Sequence, residues 1–243
     1  MKKILLVLMA LLPVYYSVAQ AQKDIDSLVK VGLSQKSTFR YNANINRDSL
    51  VQCVYKAKTT AERVDLAYQI TSFNGILSQQ KALVYYEKLL AYSRRIDDKA
   101  YEAVIMSEIA YYIGINGNTA GSLAMLQKAL ALAKESGSNL AIGIVYSNLG
   151  VSYPKSPQIR KQYFQVAQKY CLPAKNHFFT AANYGALYDI YTELNQKDSA
   201  KYYFYRGLKY SVDNHNDEVI SSLILKYAKE NKNPVFILRK LLN

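Results

Sequence analysis

The chain repeats itself at a period near 40 residues, and no other feature limits its possible folds as strongly. Anchor positions Ile70, Ala110, Gly150 and Tyr188 follow one another at steps of 40, 40 and 38. A second set trails it at Ala82, Ser122, Arg160 and Ala200, stepping by 40, 38 and 40. Each member of that second set leads a matched run: Tyr86 and Leu89, Leu126 and Ala129, Phe164 and Ala167, Phe204 and Gly207. Self-similarity at this period belongs to stacked helix pairs. No pair can bury its apolar face alone, so each is sealed by the next.

Local chemistry agrees. Residues 109–137, "IAYYIGINGNTAGSLAMLQKALALAKESG", read as helix, turn, helix. Thr59 and Glu62 have capping-box spacing. Asn74-Gly75 and Asn116-Gly117-Asn118 are turn sequences. Gly137 stands where a helix should end, Pro157 and Pro234 suit first helical positions, and Pro154 and Pro173 stop helices. Two apolar stripes run along 119–135, at 123, 126, 130 and 133 and at 125, 129 and 132. A helix that wide in its apolar face touches neighbours on two sides. Strand-like alternation is missing over any useful length.

These anchors resemble the tetratricopeptide repeat family over residues 60–212. "KALVYYEKLL" (81–90) and "AKYYFYRGLKY" (200–210) match its small–aromatic–small second helix well, and "SLAMLQKALALAKESG" (122–137) matches with Leu126 for the aromatic. Arg160 and Tyr188 depart from the small residues expected there. The resemblance implies an all-α, right-handed superhelical solenoid of antiparallel helix pairs, about four repeats plus caps. The solenoid then occupies 59–212, residues 22–58 form an N-terminal cap or tether, and 213–243 a degenerate repeat or closing cap.

The resemblance also implies a concave groove lined by the first helix of each repeat. By register that face carries Ala67, Thr71, Asn74, Ser107, Tyr111, Gly114, Ser147, Val151, Gly185 and Asp189. It is small, weakly polar and suited to a peptide or helix of another protein. The relatives that clamp a terminal carboxylate use Lys, Arg and Asn; Ala67, Thr71 and Ile144 stand at three of those positions, so that activity is not implied. The "DSL…TTAERVDLAYQI" lead-in (48–70) is similar to the periplasmic input modules of some bacterial sensory proteins, which would make this chain a free-standing relative.

Residues 1–21 read as a secretory leader: Lys2 and Lys3, an apolar run from Ile4 to Leu12, then an Ala19-x-Ala21 cleavage site. A retained anchor is the alternative, although roughly ten apolar residues fall short of the about 20 a span needs. The expected location is the periplasm or outer envelope. The net charge of +13 points in that setting to an acidic protein, an anionic glycan or a membrane surface, and away from nucleic acid. Residues 136–188 contain no acid but hold Lys155, Arg160, Lys161, Lys169 and Lys175, a candidate basic flank. Cys53 and Cys171 lie several predicted helices apart, farther than the roughly 7 Å a disulfide allows, so both are expected as buried free thiols.

Little in the sequence supports turnover chemistry. His177 and His215 are the only histidines, and neither sits at metal-ligand spacing. Asp97-Asp98 reads as a solvated turn. The expectation is no enzyme, no cofactor and no metal. Tyrosine stands out: 23 residues, and no Trp. Adjacent pairs at 85–86, 111–112 and 202–203 point about 100° apart on a helix. Tyr86 and Phe204 should fill the core, leaving Tyr85 and Tyr202 or Tyr203 at its edge, or exposed to bind peptide or sugar.

Overall fold

The computed structural model describes residues 23–32, 46–71 and 79–230. Every element among them is a helix: α1 (23–32), α2 (Arg47–Lys56), α3 (Thr60–Thr71), α4 (Gln79–Arg95), α5 (Lys99–Ile115), α6 (Thr119–Ser136), α7 (Asn139–Val151), α8 (Pro157–Cys171), α9 (His177–Glu193), α10 (Lys197–Asp213) and α11 (Asp217–Glu230). None of them is long and apolar enough to cross a membrane. The leader, Asn74-Gly75 and Pro234 lie outside the described residues.

The helix ends follow the expected signals. Thr59 and Glu62 close their box, with Thr59 Oγ1 accepting from Glu62 N at 3.2 Å and Glu62 Oε2 accepting from Thr59 N at 3.2 Å. Donation from the Lys58 N–H at 2.9 Å, and then from the Thr59 N–H, holds the Glu62 carboxyl below its usual range. Pro157 opens α8. Gly137 ends α6 in the left-handed region at φ 66°.

One turn design recurs. Asp97, Gly117, Asn195 and His215 each have positive φ. The residue after each donates its N–H five residues back: Asp98 to Ser93, Asn118 to Ile113, Gln196 to Tyr191 and Asn216 to Ser211. This is the Schellman closure. Asp98, Asn118 and Asn216 then accept from the backbone of the following helix through their side chains.

Asp98 does more than cap. Its Oδ2 accepts from Arg63 Nη1 and from Thr60 Oγ1, both at 2.9 Å, and so ties α3 to the start of α5. The two ionised side chains are 14% and 13% exposed. The solvated-turn expectation fails for Asp98 because its neighbours in α3 dehydrate it. Asp98→Ala should cost about 2–4 kcal/mol, the sum of a lost cap and a stranded guanidinium. Urea unfolding of the variant measures it.

The chain divides into two units, one of Arg40–Tyr203 and the other of Met1–Phe39 with Phe204–Asn243. In the first, consecutive helices pack in pairs, and α3, α5, α7 and α9 also pack one on the next. These alternate members are the inner helices. α5, α7 and α9 are buried nearly all round, while α4, α6 and α8 bury one stripe each. The repeat anchors fill those stripes: Ala82, Tyr86 and Leu89, then Ser122, Leu126 and Ala129, then Phe164 and Ala167 are all buried. In the second unit, Ile25 and Val29 of α1 are buried, as are Val219, Ile220, Leu223 and Ile224 of α11. A Cβ on Gly32 would lie 2.9 Å from Ile220, and Tyr227 donates to Asp26 at 3.1 Å. Thus α1 and α2, read together as one N-terminal cap, fall in different units.

Both thiols are free, but only Cys171 is buried; Cys53 is exposed. Cys53 precedes Val54 on α2, and it is Val51 and Val54 that face inward. Burial pushes the Cys171 thiol up to about 12. The native protein should therefore react with about one equivalent of a thiol reagent at neutral pH, and with a second only on unfolding.

Candidate functional site

The inner helices meet through a buried polar chain. Its centre is Glu108 on α5. One carboxylate oxygen accepts from Tyr68 OH of α3 and, at 2.7 Å, from Asn148 Nδ2 of α7. The other lies 3.4 Å from Tyr86 OH of α4. Asn148 Nδ2 also donates to Ser107 Oγ at 3.0 Å, and the Tyr86 and Thr71 hydroxyls are 2.5 Å apart. Burial pushes the Glu108 carboxyl above its usual range, and its hydrogen bonds from Tyr68, Asn148 and Tyr86 oppose that rise. Farther along, Ser147 Oγ lies 2.9 Å from Asn183 Oδ1 on α9.

This chain occupies the expected groove face. Ala67, Thr71, Ser107, Ser147 and Gly185 are all buried. They face packed neighbours and not an open channel. The reason lies where Tyr68, near the carboxyl end of α3, meets the start of α9: its ring is 4.9 Å from Phe179, edge to face, and 5.7 Å from Phe178. Beside this contact is a crevice of about 170 Å³ lined by Asp65, Leu140, Lys175, His177 and Phe178 among others. Burial lifts the Asp65 carboxyl, and the His177 imidazole opposes that rise.

The carboxyl ends of α5 and α7 differ, whereas Ile70 and Thr71 of α3 and Ile190 and Tyr191 of α9 stay buried. Tyr111 and Asp189 are half-buried, Val151 is 41% exposed, and Ile115, one turn past Tyr111, is 45% exposed. Register placed Tyr111, Val151 and Asp189 on one face, and they remain within reach of solvent. Asn74 lies outside the described residues.

The basic flank does not converge. Arg160 is held by both oxygens of Glu193 at 2.9 Å. Lys161 lies 5.8 Å from the centre of the Tyr191 ring. Lys155 and Lys175 sit beyond opposite ends of α8, roughly 22 Å apart along a helix of that length. Lys169 is exposed between them. Cations do gather elsewhere: Arg47, Lys81 and Lys88 line an open cavity of about 560 Å³ with Asn46, Asp48, Val84 and Tyr85. Sequence spacing could not find it, since Arg47 on α2 and Lys81 on α4 belong to different helices.

The tyrosines form rows. Tyr153 stacks on Tyr163 at 5.5 Å, Tyr163 lies 6.2 Å from Tyr146, and Tyr146 stacks on Tyr170 at 6.2 Å. Tyr191 stacks on Tyr203 at 5.1 Å. Stacked rings spend faces on one another, faces that a bound sugar would need. As expected, Tyr86 and Phe204 are core, Tyr85 and Tyr203 half-buried, and Tyr202 exposed.

A scan of protein-family models finds no match to the chain, and a search of curated proteins finds none either.

Proposed function

We propose that this protein is an exported, non-enzymatic helical-repeat module of tetratricopeptide-like, superhelical design, which binds another protein in the periplasm or outer envelope. Export rests on the leader-like residues 1–21. The observation that carries the binding reading is the gradient along α5 and α7, which pack together. Their amino halves are sealed, while Tyr111, Ile115 and Val151 bring aromatic and aliphatic surface to the solvent at their carboxyl ends. Exposed apolar side chains on such a rim suit the core of a protein interface.

A photo-crosslinking residue at Ile115 or Val151 should yield a discrete adduct in native envelope, and one at Gln127, on the exposed back of α6, should not. Val151→Arg should abolish the Ile115 adduct. Equal adducts from all three positions, or an adduct indifferent to Val151→Arg, would refute the rim.

A second reading, capture of an anionic glycan, is favoured by the cavity that gathers Arg47, Lys81 and Lys88. Binding of a sulfated oligosaccharide should then weaken steeply with salt and weaken further in K81Q/K88Q. Binding that K81Q/K88Q leaves unchanged would remove this reading.

A further inference from the structure

The main helix packings of the larger unit join neighbours, or inner helices one step apart in the array. Tyr68 breaks that order. Its ring reaches from α3 past α5 and α7 to Phe178 and Phe179 at the start of α9. Three aromatic rings make this contact, and a crevice containing Asp65 and His177 runs alongside it. The packings in series differ in kind: α7 and α8 approach so closely that a Cβ on Gly143 would lie 3.0 Å from the backbone nitrogen of Cys171. The closure between α3 and α9 can therefore part while the series stays intact.

What lies behind it is unusual for a packed interior. Thr180 and Asn183 share one face of α9, three residues apart, and both are fully buried. Thr180 Oγ1 has no hydrogen-bond partner among the described residues, and Asn183 Nδ2 has none beyond the Cys171 sulfur, a weak acceptor. Buried groups in that state cost free energy, and native interiors hold few of them. An extended peptide brings the missing partners in its own N–H and C=O groups.

We propose that the Tyr68–Phe178–Phe179 contact is a latch over the inner face, and that its release opens Ser147, Thr180 and Asn183 to the main chain of a peptide. The latch accounts for a groove that register places on this face and that packing encloses. What the opened face holds rests on the protein-binding reading above. The opening itself does not.

Thiol labelling tests it in a Cys53→Ser, Cys171→Ala, Ser147→Cys background, and a matched chain carrying Ala129→Cys in place of Ser147→Cys, at a buried position of α6, reports global unfolding. With Phe178→Ala added, position 147 should react about ten-fold faster while position 129 stays unchanged, the mark of local opening. If both sites speed up together, or neither does, the latch is overturned. A second measurement needs no variant. In the native chain, hydrogen exchange at 180–184 of α9 should run faster than at 144–148 of α7, and equal protection would overturn the latch. A random peptide library panned on the Phe178→Ala chain then tests the occupant. Binders that lose about ten-fold in affinity on the latched chain and on Asn183→Leu support a peptide on this face. Binders indifferent to both changes, or no binders at all, overturn the occupant and leave the latch to the labelling result.

Discussion

Gly143→Ala is expected to lower stability by about 2–3 kcal/mol, although alanine is the better helix former by about 1 kcal/mol. The added Cβ would lie 2.5 Å from Cys171 Sγ, 3.0 Å from the Cys171 backbone nitrogen and 3.3 Å from Tyr170 Cβ. A rotamer change can move the sulfur but not the nitrogen, so α7 and α8 must separate. Cys171→Ala in the same chain should recover part of the loss and not all of it. Chemical denaturation of the two single variants and the double variant measures the coupling. Full recovery would mean that the sulfur alone set the spacing.

Glu108 carries the second large effect. Glu108→Ala leaves Tyr68 OH, Tyr86 OH and the Asn148 amide facing an empty site, at a cost of about 3–5 kcal/mol. Glu108→Gln should act in the opposite direction at neutral pH. Its amide oxygen can take the bonds from Tyr68 and Asn148, and no charge remains to be dehydrated. Because the folded carboxyl titrates above its unfolded value, the folded state holds the proton longer. The contribution of this group is fully present at acid pH and is lost as pH rises through the ordinary carboxylate range to the raised folded value. The wild-type chain should therefore lose stability over that window relative to Glu108→Gln, ending about 1 kcal/mol below it at neutral pH. Parallel stability–pH curves for the two proteins would refute the assignment.

The sequence was readable wherever a signal is local. Anchors 40 residues apart marked the helix pairs, and Gly137, Pro157 and the Thr59–Glu62 box marked their ends. Register also found which residues face inward, because Ser107, Ser147 and Thr71 all join the inner polar chain. It could not show that this face is filled. Periodicity describes a helix and its neighbour, whereas Tyr68 and Phe178 stand far apart in the chain and on opposite sides of two intervening inner helices. Glu108 left a faint trace, a lone acid within the apolar run "AVIMSEIAYYI" of 103–113. The cationic cavity left none. Asp98 looked like any acid in a turn until α3 was laid against it.

The recurring turn between helices has a consequence beyond stability. The same Schellman closure, followed at once by the side chain that starts the next helix, joins helices at 97–98, 117–118 and 215–216. Junctions built to one pattern are interchangeable parts. A lineage carrying such a chain can lengthen or shorten it by whole hairpins through unequal recombination, and each product inherits seams that already fit.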